Sequence, residues 1–170
     1  MDSSFSVSPA DFTIADFASH DAAVDAATLL TALYWAESQS LLAQLVEKQP
    51  YLTRSEARWR KSLLEMIARS RHFGDDLMAA MAKLPGPRLV ETHQYSAETV
   101  AAVDWAFLSL DFLLPRLIAS KQNLLAMYES ALSQLTGGPV ALTEMLRRHI
   151  GAHQSDLQLL TDGPAPVKHV

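Results

Sequence analysis

Apolar residues recur along most of this 170-residue chain at spacings of three and four, and that periodicity predicts long amphipathic helices. The first predicted helix covers residues 21–48 and ends before Pro50, because a residue that precedes proline disfavours the α conformation. Its core-facing stripe consists of Leu30, Tyr34, Glu37, Leu41 and Leu45. Glu37 is therefore a carboxylate at a position where an apolar core residue is expected.

The second predicted helix covers residues 53–84 and ends at the Pro-Gly-Pro break of residues 85–87. Its stripe consists of Leu63, Ile67, Ser70, Gly74, Leu77, Met81 and Leu84. At about 100° per residue, His72 lies on the opposite side of the helix, and Asp76 lies near it. We therefore expect both side chains to belong to a solvated polar face.

The third predicted helix covers residues 96–135, and its apolar residues recur about every 3.5 positions. Its stripe, which Lys121 interrupts, consists of Val103, Phe107, Leu110, Leu114, Leu117, Leu124, Tyr128 and Leu135. Pro115 removes one backbone donor, and its ring clashes with the preceding turn. The sequence therefore predicts either a kink at residues 112–114 or two helices, of which the first is shorter.

The fourth predicted helix follows the flexible pair Gly137 and Gly138 and covers residues 139–160. Its stripe consists of Leu146, Ile150, His153, Leu157 and Leu160. Four long amphipathic helices with short connections predict an all-α fold, an antiparallel up-down four-helix bundle. No strand is expected, because the chain lacks β-branched runs.

The bundle is predicted as one domain over residues 21–162, with an N-terminal arm at residues 1–20 and a flexible C-terminal tail at residues 163–170. The arm carries three aromatic residues, Phe5, Phe12 and Phe17. Those rings could pack on the bundle or on a partner subunit, and the sequence leaves both alternatives open.

The net charge of −5 argues against a sequence-independent grip on nucleic acid, which needs a basic face. The absence of cysteine removes disulfides, thiolate metal sites and thiol nucleophiles. No stretch approaches 18 uninterrupted apolar residues, and the N-terminus lacks the features of a secretory signal. We therefore expect a cytoplasmic protein with neither a membrane nor a nucleic acid as partner.

The candidate chemistry lies in the fourth helix, where His149 and His153 are four residues apart and therefore neighbours on the helix surface. Two such imidazoles can reach one metal ion, and Glu37 supplies a candidate carboxylate. The predicted site is one divalent ion, either iron, manganese, zinc or nickel, at Glu37, His149 and His153. The alternative is a pair of neutral core histidines that are hydrogen-bonded to a carboxylate such as Glu37.

The chain resembles the ferritin-like superfamily, and within it the small bacterial ferritin-like domains of unknown function. The resemblance rests on LLTALYWAESQSLLAQL at residues 29–45, NLLAMYESALSQL at 123–135 and LRRHIGAHQSDLQLL at 146–160. Relatives that bind two metals place a Glu on each of two helices and a Glu-x-x-His on each of the other two. Glu37 matches one of these carboxylates, and His153 matches one of the histidines.

The other ligand positions depart from that pattern. The residue three before His153 is Ile150, the second helix has Ser70 and Gly74 on its inner stripe, and residues 121–123 offer no carboxylate. The resemblance therefore implies a degenerate di-metal site with at most one weakly held divalent metal. The implied role is binding or assembly, as a homo-oligomer or with a helical protein partner.

A second resemblance, to DinB-like bundles, rests on His149 and His153 as the H-x-x-x-H motif of a late helix. It implies a metal-dependent enzyme that also needs an inward histidine on an earlier helix. His72, on the second predicted helix, is the residue nearest to that position. A third alternative is a structural subunit whose long third helix packs against a partner. The sequence does not decide whether the protein is an enzyme.

Overall fold

The structure is a computed structural model that describes residues 12–45, 58–85, 108–135 and 137–164. Within these residues the chain forms one short 3-10 helix, five α-helices and no strand, which confirms the predicted all-α class. The α-helices are α1 (His20–Ser38), α2 (Leu41–Gln44), α3 (Trp59–Met81), α4 (Leu110–Gln134) and α5 (Val140–Asp162). Among the helices of these four segments, none has the length and apolar content needed to cross a bilayer.

The prediction that the first helix extends to residue 48 is wrong, because α1 ends at Ser38 and a turn separates it from α2. The Ser40 hydroxyl accepts the backbone N–H of Ala43 at 3.2 Å and so begins a new helix. The Ser38 hydroxyl donates to the carbonyl of Tyr34 at 2.8 Å. Such local side-chain bonds compete with helix propagation, and two serines flanking Gln39 supply them here.

Helix α4 is one element from Leu110 to Gln134 with Pro115 inside it, so the predicted split at Pro115 does not occur. Pro115 lies in the second turn of the helix, so its missing N–H removes a single helical hydrogen bond near the N-terminal end. The predicted beginning of this helix, residues 96–107, lies outside the described residues. A kink at Pro115 stays a prediction.

The buried apolar residues form two clusters. The first combines the N-terminal segment with the early part of α1, the late parts of α3 and α4, and the early part of α5. The second combines α2 with the early parts of α3 and α4 and the last turn of α5. Buried polar residues lie between the clusters along each long helix, for example Glu37 in α1, Ser70 in α3, Lys121 in α4 and His153 in α5.

We call this set the polar layer. It consists of Glu37, Ser70, Asp76, Lys121, Tyr128, His149, His153 and Asp156, and every member is buried. The predicted stripe of the last helix is displaced to accommodate it. Ile150 and Leu157 are only half-buried, whereas His149 and Asp156 lie inside.

Two of the arm's aromatic residues pack inside the chain's own core. The rings of Phe12 and Phe17 meet edge to face with centroids 6.1 Å apart, and both belong to the first apolar cluster. The ammonium of Lys83, beyond the end of α3, lies 5.3 Å from the ring centre of Phe12. For these two residues the structure therefore supports packing on the bundle. Phe5 lies outside the described residues.

We expect Phe12→Ala to lower the free energy of unfolding by at least about 2 kcal/mol, because it empties a buried aromatic site. The matched control is Ile14→Ala, two residues away and 45% exposed, which should change stability by less than about 0.5 kcal/mol. Urea titration of both variants checks this expectation. Equal, small losses would show that the segment before α1 does not contribute to the core.

Candidate functional site

Glu37, in the last turn of α1, lies at the centre of the polar layer. Its Oε1 lies 2.8 Å from His153 Nε2 and accepts the Tyr128 hydroxyl at 3.1 Å, while its Oε2 accepts the Ser70 hydroxyl at 2.5 Å. Burial acts to raise the pKa of Glu37, but His153, Ser70 and Lys121 outweigh burial and hold that pKa below its ordinary value. The carboxyl group is therefore ionised at neutral pH although it is only 2% exposed.

Lys121 approaches the same histidine from the other side. Its Nζ lies 3.0 Å from His153 Nδ1 and 3.2 Å from Asp156 Oδ2, and the residue is 5% exposed. An ammonium group has only donors, so Nδ1 of His153 must accept, and the ring proton is assigned to Nε2, which faces Glu37. A doubly protonated His153 would direct an N–H at Lys121 and leave it without an acceptor. Lys121 therefore donates to Nδ1 of His153, whereas Nε2 lies close to Glu37 Oε1 without meeting it at hydrogen-bond geometry.

Asp156 completes this half of the layer. Arg69 Nη2 donates to its Oδ1 at 2.7 Å, and Lys121 approaches its Oδ2. The Arg69 side chain is 41% exposed, so Asp156 connects the buried Lys121 to a partly solvated guanidinium. Asp156 thus meets two cations, and such pairing is the condition for keeping an ionised group inside a core.

The second half of the layer joins His149 to Asp76. His149 Nε2 lies 3.0 Å from Asp76 Oδ2, and the imidazole stacks on Phe73 with ring centres 4.0 Å apart. Burial lowers the pKa of His149 to about 4, although Asp76 acts in the opposite direction. His149 is therefore neutral at pH 7, and Nε2–H is the atom that donates to Asp76.

Asp76 also corrects a prediction, because it is buried rather than solvated. It faces three basic side chains: His149, His72 with Nε2 at 3.9 Å from Oδ1, and Arg148 with Nη2 at 3.7 Å from Oδ2. The His72 side chain is 48% exposed, so its predicted place on the polar face is confirmed. Asp76 is buried and His72 is exposed because α5 covers the edge of α3 on which Asp76 lies.

The three predicted metal ligands are all buried in the polar layer, but they do not converge. His153 contacts Glu37, whereas His149 turns to Asp76. Across the four described segments, no group of three or more His, Cys, Asp or Glu side chains is arranged to hold a metal ion. Binding of a divalent ion at Glu37, His149 and His153 stays a prediction.

Sequence reasoning missed three members of the layer: Lys121, Asp156 and Asp76. Two of them carried a signal. Lys121 stood on the apolar stripe of its helix as an interruption, and Asp156 follows His153 by three residues and precedes Leu160 by four. Charged residues at core positions on neighbouring helices are candidates for pairing with each other.

A cleft of about 400 Å³ reaches the layer from outside. It lies between α1, α2 and α3, and Glu37 and Ser70 are its most buried polar lining residues. The remaining lining residues are Tyr34, Ser38, Ala43, Ile67, Arg71, Gly74, Asp75 and Met78. A Cβ atom at Gly74 would lie 3.9 Å from Tyr34 Cε2, which is ordinary van der Waals contact.

Comparison with known proteins identifies no relative: no protein-family model matches the chain, and neither a curated protein nor a solved structure matches it significantly. The ferritin-like and DinB-like resemblances therefore stay predictions.

We expect Lys121→Met to lower the free energy of unfolding by about 3–5 kcal/mol, because it leaves Asp156 buried beside an apolar side chain. The double variant Lys121→Met/Asp156→Leu should recover part of that loss, since it removes both charges together. Urea denaturation of the single and double variants measures the coupling.

Lys61→Met is the matched control, because Lys61 forms an exposed i,i+4 pair with Glu65 at 3.7 Å. We expect a change within about 0.5 kcal/mol there. If the losses from Lys121→Met and Asp156→Leu simply add in the double variant, the two side chains are not energetically coupled and the proposed layer is wrong.

The low pKa of His149 predicts a pH-dependent stability. Between pH 6.5 and about 4 the unfolded chain binds a proton that the folded chain does not, so folding stability falls as the pH is lowered through that range. The His149 contribution is fully present above pH 6.5 and amounts to roughly 3 kcal/mol at most. His149→Leu should flatten this part of the profile, whereas His20→Ala, at an exposed position, should not. Parallel profiles for wild type and His149→Leu would contradict the assignment.

Proposed function

We propose that the protein is a ferritin-like helical-bundle protein with a degenerate di-metal site and a role in binding or assembly. The Lys121 ammonium supplies the positive charge that a metal centre would supply. The observation that supports this proposal is the position of Lys121 Nζ, 3.0 Å from His153 Nδ1 and 3.2 Å from Asp156 Oδ2.

The bundle is proposed to be an antiparallel up-down arrangement of α1, α3, α4 and α5. Contacts between α1 and α3 support it, because residue numbers run in opposite directions: Thr31 contacts Met81, and Glu37 contacts Ser70. The same reversal relates α4 to α5, where Lys121 contacts Asp156 and Tyr128 lies against His149. The most extensive helix contacts are those between α4 and α5 and between α1 and α3.

Competition for one lone pair explains why a metal would be held weakly. A metal ion bound to Nδ1 of His153 would lie roughly 2 Å from that nitrogen. The Lys121 ammonium already contacts the same nitrogen. Two cations repel each other strongly at such separations in a core, so a divalent ion at Nδ1 would have to displace or deprotonate Lys121. On the other side, Nε2 is directed at Glu37.

A metal-dependent enzyme of the DinB-like type is the second candidate. The observation in its favour is that His72 and His149, on two different helices, both face Asp76. Arg148 faces the same carboxylate and would oppose a cation there. A structural subunit is the third candidate, and the exposed Phe112 and Met127 of α4 favour a helical partner on that helix.

Elemental analysis of the untagged protein, after exposure to iron, manganese, zinc and nickel and then dialysis, tests the proposal. We expect far less than one equivalent of any of these metals in the wild type. Lys121→Glu should retain close to one equivalent of iron or manganese, because it replaces the competing cation with a carboxylate beside Glu37, His153 and Asp156. Lys121→Met removes the charge without adding a ligand and is the matched control.

Stoichiometric metal in the wild type that disappears in His149→Ala/His153→Ala would overturn the proposal and favour a metal-dependent enzyme. If Lys121→Glu does not fold without metal, its thermal unfolding with and without added Mn²⁺ replaces the dialysis measurement. A metal-dependent rise in melting temperature is then the expected result.

A further inference from the structure

The cleft between α1, α2 and α3 has the dimensions of a small-molecule site. Its volume of about 400 Å³ lies within the range of pockets that enclose ligands. One side is apolar, with Tyr34, Ile67 and Met78, and the floor is polar, with Glu37 and Ser70. Tyr34 comes from α1 and the other two wall residues from α3, so the packing of these helices shapes the cleft.

Hydrogen-bond inventory decides what the floor can bind. The single hydroxyl proton of Ser70 goes to Glu37 Oε2, so Ser70 Oγ has only lone pairs left to offer. Glu37 is ionised and accepts only, and among the described residues its Oε2 receives a hydrogen bond from Ser70 alone. Both floor atoms therefore present acceptors, and a ligand that satisfies them must bring N–H or O–H donors.

The charge of the floor favours a cation among such donors. Among the described residues no lysine or arginine contacts the Glu37 carboxylate, whose neighbours are the hydroxyls of Ser70 and Tyr128 and His153 Nε2. The nearest buried cation, Lys121, is on the far side of the His153 ring. A buried carboxylate that no lysine or arginine contacts gains much from an ammonium ion, because the low-dielectric surroundings strengthen the attraction.

We propose that this cleft binds a small organic primary ammonium ion. Its N–H groups donate to Glu37 Oε2 and Ser70 Oγ, and its apolar body lies along Tyr34, Ile67 and Met78. Asp75, an exposed lining residue, adds attraction for a cation, which the exposed guanidinium of Arg71 partly offsets. The inference rests on the binding role proposed above and names the class of ligand.

Gly74 keeps the cleft open. A glycine within a helix costs about 1 kcal/mol relative to alanine, and Gly74 lies in the interior of α3. A Cβ atom there would lie 3.9 Å from Tyr34 Cε2, which is ordinary van der Waals contact. A larger side chain at this position would therefore extend into the cleft without a backbone clash. Gly74 therefore offers a way to block the site while Glu37 and its partners are left unchanged.

Isothermal titration calorimetry at pH 7 with phenethylammonium, 2-phenylethanol and 3-phenylpropionate tests the proposal, because the three probes share a phenyl body and differ in the terminal group. We expect saturable binding of phenethylammonium at least about tenfold tighter than that of the alcohol, and no binding of the carboxylate. Glu37→Gln keeps the volume of the side chain and should weaken ammonium binding by about tenfold or more.

Gly74→Leu should abolish binding and leave the circular dichroism spectrum unchanged. Gly151→Leu is its matched control, because Gly151 lies in the interior of α5 with nothing within 4 Å of its Cβ position. The proposal is overturned if phenethylammonium and a series of n-alkylammonium ions show no saturable binding. Equal affinity for the alcohol, or undiminished binding by Gly74→Leu, would overturn it as well.

The two proposals fail in different ways. If the protein binds neither ammonium ions nor metals, the proposed ligand class is wrong and the degenerate-site proposal stands. Stoichiometric metal in the wild type removes the degenerate-site proposal, whatever the calorimetry shows.

Discussion

The contact between the buried Lys121 ammonium and His153 is the interaction on which the rest of the structure depends. A buried cation must find acceptors, and here they are one imidazole nitrogen and the Asp156 carboxylate. Because Lys121 occupies Nδ1, the proton of His153 is assigned to Nε2, the nitrogen that lies close to Glu37. The carboxylate of Glu37 then stays ionised within the core, beside a cleft that opens to solvent.

The polar layer also constrains how the helices pack. Each of the four long helices contributes at least one buried polar side chain, and the apolar clusters lie on either side of that level. A one-turn slip of α5 against α4 would separate Lys121 from Asp156 and leave both charges buried without partners, a change that costs several kcal/mol. Apolar contacts alone would discriminate less sharply between neighbouring registers. Polar core residues specify the register, as they do in coiled coils.

Glu37 connects the two proposals, since one carboxylate faces the ion-pair network and the cleft. The network side already holds a cation of the chain itself, the Lys121 ammonium, which contacts His153 and Asp156. On the cleft side, the Glu37 carboxylate contacts hydroxyl groups and an imidazole but no lysine or arginine of the described residues. An external ammonium ion would pair with Glu37 from the cleft, as Lys121 and Arg69 pair with Asp156 within the layer.

Periodicity in the sequence was enough to predict the all-α class, the approximate positions of the four long helices, and the burial of Glu37 and His153, because an amphipathic stripe is a local property of one helix. The tertiary structure decided which carboxylate each histidine meets, and it brought Asp76 and Lys121 into the core. Those outcomes depend on the rotation and register of one helix against another. Such quantities arise from packing between distant segments, so no single stretch of sequence encodes them.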